Sequence, residues 1–329
     1  MAKPRVFVSR VIPESGMKML NEACDVEVWP GELPPPRNVL LEKVRDAAGL
    51  LSLLTDKVDD QLLDAAPNLR VVANLAVGFD NIDVDACTRR GVLCGNTPGV
   101  LTETTADFAF ALLMSAARRV VEGDRYTREG KWRTWGPLLL LGQDVHHSTL
   151  GLVGLGRIGC EMAKRAKGFS MKVLYCDMFR RKDLEQSMGL IYADLETVIR
   201  EADFVSIHTP LTPDTRHLMN AERLGMMKPT AILINSARGP IVDTIALNDA
   251  LRSGTIAGAG LDVTDPEPIP MDSPLLGAPN CIIAPHIASA SVVTRSKMSE
   301  IAAGNIISGL KGEPMPAPLN QDKVTGGRK

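Results

Sequence analysis

At 329 residues the chain is long enough for about two domains, and 45% hydrophobic with 23% charged residues is the balance of an ordinary globular protein. A formal net charge of −2, with no basic block, argues against nucleic acid or an anionic membrane as partner. The opening "MAKPRVFVSR" lacks the apolar stretch of a signal peptide, and the longest apolar run, Phe108 to Met114, is too short to cross a bilayer. Six scattered cysteines with no C-x-x-C pair predict free thiols in a reducing cytoplasm and no metal site.

The first 100 residues alternate between two periods. "RVFVSRVI", "DVEVW", "AGLLSLL", "RVVANLAV" and "VLCGN" are expected strands, separated by helices near Glu14–Ala23, Asn38–Arg45, Asp59–Ala65 and Asp83–Arg90. This pattern predicts a small open α/β sheet with no phosphate loop. From Leu101 to Val121 the small and apolar residues predict one long helix leading onward.

"TLGLVGLG" then reads as a buried strand, "CEMAKRAKG" as a helix ending on glycine, and "MKVLYCD" as a second strand. The octet "LVGLGRIG" places three glycines between strand and helix, and each has its own task. Gly154 permits the turn, Gly156 lets a pyrophosphate approach, and Gly159 lets helix and strand close together. Asp177, 18 residues beyond Gly159, stands where a carboxylate would accept from an adenosine ribose. Its charge favours NAD(H), while Arg180 and Arg181 keep NADP(H) possible, since either could meet a 2′-phosphate.

Further alternation through "ADFVSIHTP", "TAILINSARG", "IAGAGLDV" and "NCIIAPHIA" predicts a doubly wound parallel sheet. A helical pattern from Ser291 to Gly312 is expected to pack back on the first domain, and the polar stretch after Asn320, "QDKVTGGRK", to fray. The expected organisation is a dinucleotide domain (100–289) inserted in a substrate domain (1–99 with 290–329), with a ligand cleft between them.

Ligands of such sheets gather beyond the carboxyl ends of the strands, where three polar residues stand. Arg238 suits a carboxylate, His286 suits proton transfer, and Glu267 suits orienting an imidazole. Singly, each has a structural alternative: an ion-pair partner, a capping histidine, a solvated loop acid. Their placement at neighbouring strand ends favours catalysis. His208, also at a strand end, reads as part of a cofactor-lining loop, and His146 and His147 as solvated linker residues.

Across residues 3–320 the sequence resembles the D-isomer-specific 2-hydroxyacid dehydrogenases, through "LVGLGRIG", "HTPLTPDTRHLMN", "LINSARGPIVD", "AGLDVTDPEP" and "APHIASAS". The resemblance implies a flavodoxin-like substrate domain interrupted by a Rossmann domain. It also implies Arg238 as substrate anchor, His286 as acid–base and Glu267 as its partner. "LAVGFDNID" matches the loop whose Val77 and Gly78 amides cradle a carboxylate. Within the family the chain is most similar to glyoxylate/hydroxypyruvate reductases, through "GLLSLLTDKVD", "GKWRTWGPL", "HIASASVVTRSKM" and "GLKGEPMP".

That likeness implies Leu53, Trp135, Ser289 and Arg295 near substrate, with Trp135 reaching the active site of a second subunit. The alternative for Trp132 and Trp135 is plain interface packing. It implies cofactor contacts from Thr105, Arg157, Ile158, Thr209, Pro210, Ser236, Asp262 and Ala288, beside those already derived. Ala288 stands where relatives often carry glycine. The expected function is reduction of glyoxylate or hydroxypyruvate by a homodimer, its subunits meeting through the small-residue face of Thr104 to Ala117 and the Trp132–Trp135 loop. A short 3-phosphoglycerate dehydrogenase is the alternative enzyme, although no further C-terminal regulatory domain follows. Val77, where phosphite-oxidising relatives carry lysine, disfavours that activity. An NAD-sensing corepressor is the alternative from another class.

Overall fold

The run Arg5–Val8, with Val6, Phe7 and Val8 all buried, forms the strand β1 in the computed structural model, which describes residues 2–324. There follow α1 (Glu14–Ala23), β2 (Asp25–Val28), α2 (Arg37–Lys43), β3 (Gly49–Ser52), α3 (Asp60–Ala65), β4 (Val71–Asn74), α4 (Val84–Arg89) and β5 (Leu93–Gly95). Asp59 and Asp83 cap α3 and α4 by accepting from the amides of Leu62 and Ala86. All five strands run parallel in the order β2-β1-β3-β4-β5, that of flavodoxin-like sheets. Phe7, Leu50, Leu62, Leu63 and Val72 fill the core on one face.

Thr102–Ser289 forms a second unit, divided from the residues up to Leu101 and from Ala290 onward. Its elements are α5 (Thr102–Ala117), α6 (Val120–Arg128), β6 (Thr149–Val153), α7 (Arg157–Gly168), β7 (Lys172–Cys176), α8 (Lys182–Met188), β8 (Ile191–Tyr192), α9 (Leu195–Glu201), β9 (Phe204–Ile207), α10 (Ala221–Met226), β10 (Ile232–Asn235), α11 (Thr244–Ser253), β11 (Gly258–Leu261) and β12 (Cys281–Ile283). The seven parallel strands are ordered β12-β11-β10-β9-β6-β7-β8, the doubly wound Rossmann arrangement. Alternate residues of each strand face opposite cores. Phe204, Ile232 and Ile234 pack with α5 and α7, while Val205, Ile207 and Leu233 pack with Leu224, Leu247 and Leu251 of α10 and α11.

Two expectations for this unit need correction. The helix predicted over Leu101–Val121 is two helices, broken where the Ala117 carbonyl accepts the Gln143 amide and Arg119 turns left-handed (φ 51°). The small-residue face of α5 is also not left open for a second copy: Thr105, Ala106, Ala109, Ala116 and Ala117 are buried, the alanines packed with Met162, Ala163 and Ala166 of α7.

The chain then returns to the first unit as α12 (Val292–Lys311), capped by the Ser291 hydroxyl and ended by Gly312 in the left-handed region. It packs on α1, β3, β4 and β5 of that unit. Asn305 donates to the Asn96 carbonyl (2.9 Å), and Asn320 accepts the Cys94 amide (2.8 Å) while donating to the Val92 carbonyl (3.0 Å). Of the stretch expected to fray, Gln321 is held by Met315 and Glu313 (2.9 Å each), and Thr325–Lys329 lie outside the described residues. Among the described residues no helix is long and apolar enough to cross a membrane, and no three or more His, Cys, Asp or Glu side chains gather as a metal site would need.

Candidate active site

The dinucleotide end of the second unit is built around the turn from β6 into α7. Gly154 takes φ +97°, and a Cβ there would lie 2.7 Å from the His208 carbonyl oxygen. On Gly159 a Cβ would lie 2.3 Å from the Gly154 carbonyl oxygen, so helix and strand meet too closely for any side chain. On Gly156, by contrast, a Cβ would meet no atom within 4 Å. That open space lies over the first turn of α7, where no side chain caps the amides and no acidic residue stands. Such an end of a 12-residue helix suits an anion such as pyrophosphate. Arg157 is exposed there, and Ile158 is half-buried.

Asp177 closes β7. Its Oδ2 accepts the Leu155 amide (2.7 Å) and its Oδ1 the Phe179 amide (3.1 Å), which ties the acid to the glycine turn and leaves lone pairs for ribose hydroxyls. Arg180 and Arg181 are both in ion pairs, with Glu185 and Asp183. The loop after β9 carries His208, Thr209 and Pro210. His208 Nε2 lies 2.8 Å from the Ser206 hydroxyl, and burial lowers the ring's pKa to about 4, so at neutral pH it is uncharged. After β10, Ser236 has a buried hydroxyl without a hydrogen-bond partner among the described residues. Buried hydroxyls are rarely left so, and this one fits a polar group of a bound cofactor. Thr105 is buried in the first turn of α5. Together the open space at Gly156, the uncapped helix and the orphaned Ser236 fit a nicotinamide dinucleotide.

The candidate chemical groups stand at the ends of β10, β11 and β12 in the same unit. Buried Asn235 shapes the first turn: its amide donates to the Arg238 carbonyl (2.9 Å) and its oxygen accepts the Ala237 amide (3.0 Å). Arg238 Nη1 donates to the Ala237 carbonyl (2.8 Å). The next residue, Gly239, lies so close to the Thr264 carbonyl that a Cβ would overlap it, which holds the Arg238 turn against the loop bearing Glu267.

His286 Nδ1 lies 2.6 Å from Glu267 Oε1. A carboxylate can only accept, so Nδ1 carries the shared hydrogen and Nε2 is left for other work. Partial burial pushes the Glu267 carboxyl up, but the hydrogen bond and charge of His286, the Thr264 amide and the charge of Arg238 outweigh it, leaving a net lowering. His286 itself is left-handed, φ +54°, which a side chain tolerates only under constraint. The constraint is Asp262, whose two oxygens accept the amides of Ile287 (2.7 Å) and Ala288 (2.8 Å). Asp262, expected among the cofactor contacts, thus braces with its carboxylate the turn that presents His286. Ala288 is buried and Ser289 half-buried beside it.

Of the substrate candidates, Leu53, Val77, Gly78 and Arg295 belong to the first unit, where all four are half-buried. The Val77 carbonyl accepts from Asn96 (2.7 Å) and the Gly78 carbonyl from Asn74 (2.8 Å). With both carbonyls held, the loop is fixed at its oxygens, while no acceptor among the described residues takes either amide. Asn74, Asn96 and Asn235 were not anticipated, because an asparagine's backbone partners leave no periodic mark in sequence. Trp135 lies in the second unit and is 78% exposed.

Comparison with known proteins gives the family. The family described as D-isomer specific 2-hydroxyacid dehydrogenase, NAD binding domain, matches residues 110–288. The chain is 55% identical to a glyoxylate reductase of Korarchaeum cryptofilum, covering 98% of this chain and 97% of that one. It is 49% identical to a glyoxylate reductase of Thermococcus litoralis, covering 98% of each. Among solved structures, an NADPH-dependent glyoxylate/hydroxypyruvate reductase from Sinorhizobium meliloti, in complex with NADP and malonate, superposes with a TM-score of 0.87 at 33% identity, covering 100% of both chains.

Proposed function

Because the chain belongs to the D-isomer-specific 2-hydroxyacid dehydrogenase family, and is therefore an NAD(P)-dependent dehydrogenase, we propose that it reduces glyoxylate, and hydroxypyruvate as a close analogue, to the 2-hydroxy acid. The observation that carries this reading is the His286–Glu267 pair at 2.6 Å, within reach of the Arg238 charge. The chemistry that a reduced nicotinamide would supply here, when bound, is a hydride for the carbonyl carbon. His286 Nε2 gives a proton to the carbonyl oxygen, and Glu267 holds the ring by Nδ1 and offsets the positive charge of its protonated form. Arg238 pairs with the substrate carboxylate and polarises the neighbouring carbonyl. Leu53, Val77, Gly78, Ser289 and Arg295 are the remaining residues that the family resemblance assigns to substrate.

Two finer points belong to this reading. Asp177 favours NAD(H), since a 2′-phosphate would stand against its charge. The enzyme is a homodimer through the segment around α6, a helix with no buried residue, followed by Trp132, Trp135, Leu138 and Leu141 at 58%, 78%, 80% and 62% exposure. Sedimentation would find a dimer at micromolar concentration; a monomer there would rule out that assembly.

The activity is tested with glyoxylate, hydroxypyruvate, pyruvate, 3-phosphohydroxypyruvate and phosphite, each followed at the nicotinamide absorbance. The highest kcat/KM is expected for glyoxylate or hydroxypyruvate. A maximum at the phosphorylated acid or at phosphite would replace this reading, and no turnover of any would leave a nucleotide-binding protein.

A further inference from the structure

The segment following Asp177 holds a network that the proposed reaction does not use. Arg180 reaches across the turn and binds Glu185 of α8 through two parallel hydrogen bonds, Nε to Oε1 and Nη2 to Oε2, both 2.9 Å. The guanidinium also lies over the Tyr192 ring of β8, 5.3 Å from its centroid. Glu185 is in turn anchored from below. The hydroxyl of Tyr175, a ring with 0% exposure in β7, donates to Glu185 Oε1 (2.9 Å) and accepts the Arg181 amide (2.7 Å). The hydrogen bond from Arg180 leads the influences that hold the Glu185 carboxyl down at about 2, so it stays ionised throughout the working range. The bidentate pair is the stronger kind of charge-assisted interaction, and here it sits on a buried anchor.

We propose that Glu185 is a cofactor-specificity residue, which withholds the Arg180 guanidinium from the adenosine ribose and so biases the enzyme toward NAD(H) and against NADP(H). The proposal rests on the reading above that Asp177 accepts from the ribose. A 2′-phosphate needs a cation to offset the Asp177 charge, and Arg180 and Arg181 stand three and four residues beyond that acid. To serve, Arg180 must leave both oxygens of Glu185 and the face of Tyr192. That would leave the Glu185 carboxylate on Tyr175 without its ion-pair partner. Arg181 is likewise engaged, with Asp183 at 2.8 Å. Discrimination therefore comes from two acids: Asp177 repels the phosphate, and Glu185 keeps the compensating cation away.

The test is calorimetric binding of NAD⁺ and NADP⁺ to the wild type, Glu185→Gln and the double variant Glu185→Gln/Arg180→Ala. In Glu185→Gln the ratio of the NADP⁺ to the NAD⁺ Kd is expected to fall about tenfold, the scale of one additional charge-assisted hydrogen bond to the phosphate. Removing Arg180 as well should restore the wild-type ratio. Tyr175→Phe, which deletes only the hydroxyl that anchors Glu185, should move the ratio the same way by a smaller factor and guards against a folding defect. An unchanged ratio in Glu185→Gln, with a wild type that prefers NAD⁺, overturns the role of Glu185 and leaves the Asp177 reading standing. A wild type that binds NADP⁺ more tightly overturns both.

Discussion

Replacing His208 by glutamine removes a titrating group from beneath the dinucleotide turn, where its carbonyl backs Gly154 and its ring meets Ser206. Burial takes the imidazole from its ordinary 6.5 to about 4. As pH falls, the unfolded chain takes up this proton before the folded chain does. Stability from the neutral ring is therefore complete above 6.5 and is lost progressively between 6.5 and about 4. The full gap is worth about 3 kcal/mol, of which about 2.5 kcal/mol has been lost by about pH 4.5. Urea unfolding of wild type and His208→Gln at about pH 7.5 and about pH 4.5 isolates this effect, because titration of other groups is common to both proteins. The wild type should be the more stable at the higher pH, and its advantage should shrink by about 2.5 kcal/mol at the lower. An advantage constant to within about 0.5 kcal/mol would show that the folded ring takes up its proton as readily as the unfolded one.

Other expectations bear on the turns around the site. His286→Ala should lower kcat by about 10² to 10⁴ while the NAD⁺ Kd, read by calorimetry, stays within about twofold; a wild-type rate would remove His286 from proton transfer. Gly159→Ala, with a Cβ 2.3 Å from the Gly154 oxygen, should lower both Tm and cofactor affinity. Gly156→Ala, which meets no atom within 4 Å, should weaken cofactor binding alone, and equal Tm losses in the two would contradict the open space at Gly156. Asp262→Ala leaves the Ile287 and Ala288 amides without acceptors, so a loss of about 1–3 kcal/mol in stability with a fall in kcat is expected. Unchanged kcat would mean that the left-handed His286 is held by something else.

Much of this was legible in sequence because its signals are local. The glycine octet, the period-2 apolar strands and the acid closing β7 each sit within a short window, and α1 begins and ends where its pattern does. What escaped was non-local. The break at Arg119 follows from the Ala117 carbonyl taking an amide 26 residues away at Gln143, a partner no helical window contains. The two-residue edge strand β8 is too short to show a period. Alanines on α5 look the same whether they meet α7 or another molecule, and only the folded core distinguishes them. Arg180 had an ambiguous part in sequence because its partners, Glu185 and Tyr192, are fixed by how α8 and β8 fold back on β7.

The discontinuity of the first unit also sets a timetable for synthesis. Its five strands are complete by Gly95, yet their sheet is covered by α12, and β5 is tied down by Asn305 and Asn320. A ribosome making about 5–20 residues per second needs about 10–40 s to travel from Leu101 to Asn320. During that interval the second unit, one uninterrupted segment, emerges with all its partners in hand. Until then the five strands of the first unit lack the helix that covers one apolar face of their sheet.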